Sequence, residues 1–442
     1  MIDGIPCSTE FTAGKPDLSP VAPVPRVVFV NRFFYPDISA TSQMLTDLAT
    51  RLASSGIDVH VICSRRYYHA SGGDPLPRRE KTIGVEVHRI WSTGFSRLGL
   101  LGRTLDYLSF YISAFWSMLA IIRRGDVLVV KTDPPMLSVC GALAARLRGA
   151  TLVNWLQDIF PEIATCLWAS PMPRWLDDRV RRLRDWSLRA AALNVVLGER
   201  MATYLHQRGL PETRVRIIEN WADDELIVPM SPRASLLREQ LELHDRFVVS
   251  YSGNLGRAHE HQTILEAAQR LANDPDFVFL MVGGGAKMTL LREEVTRRRL
   301  RNFIFLPYRT REALSDSLGA ADVHLVCLMP GLEDFVVPSK FYGVLAAARP
   351  VIYVGHPDGD LPRLIRETGC GSVVGDGMTL AGELQSLKAD PERRRTGAER
   401  AREILLERFA ANRQARSWRA ALRELCPGLP EVRETQELRR SA

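Results

Sequence analysis

Short apolar runs alternate with longer stretches whose apolar positions recur at three and four, and this alternation repeats from Arg26 almost to the C-terminus. VVFVN predicts a strand over 27–31. A helix is expected over about 43–54, with Met44, Leu45, Leu48 and Leu52 on one face and Gly56 ending it, followed by a strand at 59–63. Further strands are predicted at 85–90, 127–131, 151–155, 193–197 and 215–219, with a helix at 137–148. Strands alternating with helices imply a parallel, doubly wound sheet, whose ligands sit in the loops at the carboxyl ends of the strands. Those loops are 32–42, 132–135, 157–162 and Gly198.

The pattern breaks over 221–246, which is acidic and proline-containing and reads as a linker. A second series starts at FVVSYSGNLG (247–256) and continues through strands at 277–282, 303–306 and 323–328. It includes DFVVPSKFYGVLAAARPVI (334–352), where a helix is expected from Pro338, Ser339 offers an oxygen to the free N–H groups, and Lys340 lies in the first turn. The organisation predicted is therefore α/β: two tandem Rossmann-like domains, 26–220 and 247–408, facing each other across a cleft. A helix at 409–426, able to pack back on the first domain, and a polar tail at 427–442 follow. Residues 1–25, rich in Pro, Ser, Gly and Thr with no apolar core, read as a disordered leader and not as a signal peptide.

One helix pattern stands out. Residues 105–122, LDYLSFYISAFWSMLAII, hold a single charge, Asp106, and are flanked by Arg103, Arg123 and Arg124. Two readings stay open: a helix buried against the sheet, or one lying in the face of a bilayer with arginines on lipid phosphates. A true span fits poorly, because strands of one sheet lie on both sides of it.

Composition narrows the chemistry. In 442 residues the net charge is +7, and the excess arginine concentrates at 174–189 and 393–423. Such a balance suits an anionic substrate or an acidic membrane surface. No zinc-finger spacing, basic heptad region or RNP-like run points to nucleic acid. The 7 cysteines include no CxxC and no Cys/His ligand spacing, which fits free thiols in a reducing cytoplasm and no metal site.

Three loops of the second domain carry anion-binding character. SGNLG brings Gly253, Asn254 and Gly256, followed by Arg257 and His259; Gly283, Gly284 and Gly285 form a second turn; Lys340 supplies a third contribution. Glycines let backbone N–H groups approach a phosphate, and a plain tight turn is the alternative at each place.

In order and spacing, YPDISATSQMLTDLATRLASSGIDVHVIC, WLQDIFPE, YSGNLGRAHEHQTILEAA, VFLMVGGG, FLPY, AADVHLV and VPSKFYGVLAAARPVI resemble the GT-B glycosyltransferases of family 4. These are retaining, sugar-nucleotide-dependent enzymes, and the likeness is to those that build bacterial O-antigen, capsule or exopolysaccharide. The resemblance spans nearly all of the folded chain. It implies a donor site including Gly253, Asn254, Gly256, His259, Gly283, Gly284, Tyr308, Asp334, Pro338 and Ser339. It implies an acceptor loop at Ser39, Ala40 and Thr41, and catalytic roles for Asp158, Lys340 and Arg257. The chain also departs from the family. Asn254 and His259 stand at the places of an Arg and a Lys that grip the diphosphate, so Arg257 and Lys340 would carry that charge. Gly343 replaces the second of two glutamates, the ribose-binding one, while the first falls on Phe335 beside Glu333 and Asp334. Gln157 replaces the His of a His-Asp pair whose Asp is Asp158; that Asp158 otherwise reads as the cap of a helix starting at Pro161.

The implied reaction transfers a sugar from a nucleotide-sugar co-substrate with retention. Electrostatics would stabilise the leaving diphosphate, with no metal and no other cofactor. The acceptor implied is an undecaprenyl-diphosphate-linked sugar or an oligosaccharide. The location implied is the cytoplasmic face of the inner membrane, on its surface. The alternatives are a catalytically impaired homologue acting as a scaffold and a GT-B sugar-nucleotide epimerase.

Overall fold

The structure is a computed structural model and describes residues 24–37, 39–67, 76–95, 99–167 and 173–430. The expected leader up to Pro23, the tail from 431 onward, Cys7 and Ile38 lie outside the described residues. The first half runs β1 (Val27–Val30), α1 (Ala40–Ser54), β2 (Val59–Ser64), β3 (Arg79–Thr82), β4 (Val85–Ile90), α2 (Gly99–Ile121), β5 (Val127–Lys131) and α3 (Leu137–Arg148). It continues through β6 (Thr151–Trp155), α4 (Glu162–Leu167), α5 (Arg174–Ala190), β7 (Leu193–Val196), α6 (Glu199–Gln207) and β8 (Val215–Ile217). After α7 (Leu236–Gln240) come β9 (Phe247–Asn254), α8 (Gln262–Arg270), β10 (Phe277–Gly284), α9 (Ala286–Arg297), β11 (Phe303–Leu306), α10 (Leu314–Gly319) and β12 (Val323–Cys327). The rest is α11 (Lys340–Ala346), β13 (Val351–Val354), α12 (Asp360–Thr368), β14 (Gly371–Val374), α13 (Gly377–Ala389), α14 (Pro391–Ile404) and α15 (Ala411–Leu425).

Two sheets result. The first has order β3-β4-β2-β1-β5-β6-β7-β8, parallel except for the β3 edge, and the second β11-β10-β9-β12-β13-β14, parallel throughout. Both faces of β1 are buried. Val27 and Phe29 pack against α1 and α15, while Val28 and Val30 pack beneath α2 and α3. That is why the strand reads as an unbroken apolar run. Two α/β domains facing each other across a cleft are what the alternation predicted.

The differences have physical causes. β3 escaped notice because an edge strand of sequence REKT pairs through backbone alone. α1 begins at Ala40, so Ala40 and Thr41 form its first turn instead of a loop, and the Ser42 hydroxyl donates to the Asp37 carbonyl at 3.0 Å. α11 begins at Lys340, one turn's edge later than expected, and Ser339 makes no capping bond. Residues 231–243, read as linker, include α7, whose Leu237 packs with Leu243 and Val248 under the second sheet. α15 crosses back to the first half, where Trp418 lies 4.7 Å from Trp155, itself stacked on Trp221.

α2, α3 and α5 form one layer over the outer face of the first sheet. No described helix is long and apolar enough to cross a membrane. Yet α2 turns Leu101, Leu105, Leu108, Ile112 and Trp116 outward, with Leu101 81% and Trp116 66% exposed. α2 is therefore two-sided: Phe110, Ala114 and Met118 line the core, and the opposite stripe is exposed.

Candidate active site

The expected donor side is built from two interlocked turns. β9 and β10 pair in register so that Gly253 faces Gly283. Their φ angles are +125° and +123°, and a Cβ on Gly283 would sit 2.2 Å from the Gly253 carbonyl oxygen. Only glycine permits that approach. The Leu255 N–H donates to the Gly284 carbonyl at 2.7 Å, and the Lys287 N–H to the Leu255 carbonyl at 2.9 Å, which ties the start of α9 to the first turn. The Tyr308 ring lies against Gly284, 3.1 Å from where its Cβ would be.

Lys340 reaches under the first turn from α11. Its Nζ lies 2.7 Å from His259 Nε2 and 5.0 Å from the centre of the Tyr251 ring. The Gly256 N–H donates to His259 Nδ1 at 3.2 Å. Burial, then the neighbouring Lys340, pushes His259 down to about 3, so the ring is neutral. A neutral imidazole has one lone pair. With Gly256 on Nδ1 the ring proton is on Nε2, where it can bond only an uncharged Lys340 amine. A protonated Lys340 needs the lone pair on Nε2, which frees the Gly256 N–H. Cationic charge and a free backbone donor thus appear together. Burial pushes Lys340 down to about 8.

Of the other expected donor residues, Arg257 is exposed and makes no ion pair among the described residues. Asn254 is also exposed, and its carbonyl accepts from the Tyr251 hydroxyl at 2.9 Å. Asp334 turns to Arg200 of α6, an ion pair across the cleft. Pro338 is buried at the entry to α11. Glu333 accepts from the Gly331 N–H with one oxygen, while its other oxygen is buried without a partner. Gly343 is inside α11, and a Cβ there would meet only Leu318, at 3.8 Å.

On the opposite wall, Asp158 ends the loop after β6. It does not cap α4: its Oδ1 is buried without a partner, and its carboxyl takes a hydrogen bond from Thr132. Burial pushes it up to about 6. The Asp158 backbone bridges to Val336, and the Ile159 N–H donates to the Phe335 carbonyl at 2.9 Å. Asp158 is thereby docked onto the segment that leads into Lys340. Ser39 has its hydroxyl oxygen buried and unpartnered, Ala40 is exposed, and Thr41 bonds Asp133 through its hydroxyl at 3.2 Å. Lys131, Asp133 and Arg200 were not singled out from the sequence. The signal was a lysine closing the apolar run VLVVK, followed by TDPP.

Residues 39–221 match the model of the glycosyl transferase 4-like domain, and residues 234–404 that of the glycosyl transferases group 1. This chain is a family 4 GT-B glycosyltransferase. Two relatives of the glycosyltransferase are WcaI of Escherichia coli, described as a colanic acid biosynthesis glycosyl transferase, and the glycosyltransferase WbjE of Pseudomonas aeruginosa. WcaI is 26% identical over 75% of this chain and 83% of its own length. WbjE is 26% identical over 68% of this chain and 74% of its own. Among solved structures, a sucrose-phosphate synthase of Thermosynechococcus elongatus superposes with a TM-score of 0.71 at 18% identity, covering 91% of this chain and 99% of that one. HepE of Anabaena in complex with UDP and glucose gives 0.69 at 18% identity, covering 90% and 99%.

Proposed function

We propose that this glycosyltransferase moves a sugar from a nucleoside-diphosphate donor, with retention, onto a lipid-linked sugar during bacterial surface-polysaccharide assembly. The observation that carries the reading is the Lys340–His259 pair beneath the interlocked glycine turns. A diphosphate placed there meets an ammonium, backbone N–H groups and Arg257, which together offset the charge that grows on the leaving group. This charge compensation by the chain's own groups supports transfer without a metal ion. The HepE complexes with UDP and UDP-glucose support a nucleotide-sugar donor, and the names of WcaI and WbjE support polysaccharide assembly. The unpartnered Asp158 oxygen is the group we assign to the acceptor hydroxyl.

The acceptor side supports a membrane location. Beside the α2 stripe, α3 exposes Leu143 and Leu147, and α5 exposes Trp175, Leu183 and Trp186 among Arg174, Arg179, Arg182 and Arg189. An apolar and tryptophan-bearing face with an arginine fringe suits the surface of an anionic leaflet, the cytoplasmic one, where a polyprenyl-diphosphate acceptor is embedded.

The decisive experiment is a screen of nucleoside-diphosphate sugars against a lipid-linked acceptor, with the anomeric configuration of the product read by NMR. An α-linked product from an α-linked donor is expected; inversion, or no donor bound in calorimetry, overturns the reading.

A further inference from the structure

The carboxyl ends of β1, β5 and β6 converge on one lysine. Lys131 closes β5, opposite Trp155 in the β6 register. Its Nζ lies 3.7 Å from the centre of that indole ring and donates to the Thr41 carbonyl at 3.0 Å. The residue is 1% exposed, so no substrate touches it. Asp133 of its own turn and Asp158 after β6 are the charges that act on it; Arg32 after β1, and Asp37 in the loop that follows, act in turn on Asp133. Taking an ammonium out of water costs several kcal/mol, and an apolar side chain of the same length would fill the space without that cost. A lysine here therefore does more than fill space.

We propose that Lys131 is a positioning residue for the transfer: it fixes Thr41, and with it the loop that carries Ser39, and it places a positive charge behind Asp158 so that this carboxylate meets the acceptor hydroxyl in its ionised form. The proposal rests on the assignment of Asp158 to the acceptor. In that step the acceptor O–H bond breaks as its oxygen bonds the anomeric carbon from the face the diphosphate leaves, which retains the configuration. The proton moves to Asp158, the electron pair of the old anomeric C–O bond leaves with the nucleoside diphosphate, and Asp158 later returns the proton to water. Against the rise that burial causes in Asp158, the Thr132 hydrogen bond acts first and the charge of Lys131 last, with Asp133 adding to the rise. Burial pushes Asp158 up to about 6 and Lys131 down to about 7, so a carboxylate facing an ammonium is found between those values.

The test uses the full chain, the nucleotide sugar selected by the donor screen and a farnesyl-diphosphate-linked sugar as acceptor. For Lys131→Met, kcat/KM for the acceptor should fall about 10- to 100-fold. The acid limb of its pH profile should move up as Asp158 loses its cation. The affinity for the free nucleoside diphosphate should stay within about twofold of the parent, and Tm should hold or rise. Lys131→Arg keeps the charge and should keep the acid limb, which makes the test independent of whether the Met variant folds. An acid limb and acceptor KM unchanged in Lys131→Met, or a fall in Tm with donor affinity lost in parallel, would overturn the proposal. Asp158→Asn separates the two assignments. If it retains the acid limb, the role of Asp158 fails and the electrostatic half of this proposal with it. The acceptor KM of Lys131→Met then decides alone whether the hold on Thr41 stands.

Discussion

Two lysines, one on each wall of the cleft, meet their surroundings in opposite ways. Lys131 has carboxylates for company and no access to solvent; Lys340 has a neutral histidine, a tyrosine ring and backbone, and stays half-buried. Both lose basicity to burial, down to about 7 and about 8. What differs is the missing counter-charge. A cation already matched by Asp133 and Asp158 serves internal geometry, while one left with neutral partners is available to an incoming anion. Burial and a shifted pKa therefore do not by themselves mark a ligand site; the identity of the nearest neighbours does.

The contrast can be broken most sharply at Lys340. Lys340→Ala should cut turnover by about 100-fold or more with Tm unchanged, because a half-buried cation without a counter-ion contributes little to stability and much to a charged transition state. Steady-state kinetics beside calorimetric unfolding checks both. Gly283→Ala comes next. A Cβ 2.2 Å from the Gly253 carbonyl oxygen, at φ +123°, must push the two turns apart. A stability loss of about 2 kcal/mol or more is expected, with donor affinity lost too, both measurable by denaturant titration and calorimetry.

A smaller effect is the pH dependence of donor capture. Lys340 is charged below about 8 and neutral above it. As deprotonation removes the cation and returns the Gly256 N–H to His259, kcat/KM for the donor should fall about tenfold for each pH unit beyond 8. His259, pushed down to about 3, should add no acid limb between pH 5 and 8. A flat profile through pH 9 would contradict the lone-pair argument. The least effect on chemistry is expected from Trp116→Glu, which should lower binding to vesicles of anionic lipid by about tenfold and alter turnover on a water-soluble acceptor least of these variants. Sedimentation with such vesicles measures it.

Much of the fold was legible because both faces of its parallel strands are covered. The runs at β1, β5 and β6 could be placed nearly to the residue, and the βα alternation gave the two-domain layout. α7 could not be placed from its own pattern, since it owes its place to Leu237 joining Val278 and Leu280, residues distant in sequence, in one buried cluster. The donor turns were visible as glycine clusters, and their interlocking was not. Nothing local in SGNLG says that Gly253 and Gly283 share one register across β9 and β10. Asp334, expected as a donor ligand beside Phe335, pairs with Arg200, and no local pattern announces that pair because Arg200 lies on a helix of the other half. The stripe on α2 was suspected from its apolar run; its continuation over α3 and α5 needed the layer itself, since Trp175 and Trp186 sit in an arginine-rich sequence with no apolar run of its own.

α15 has a consequence for how the molecule comes into being. The core of the first half includes Ala411, Trp418 and Leu422 together with Val27, Phe29 and Trp155. A ribosome makes these groups at opposite ends of its work, so the domain that is translated first is the one completed last. Until α15 emerges, the first sheet carries an uncovered aromatic face beside a finished second domain, and nascent chains are most open to chaperones and misassembly over that interval.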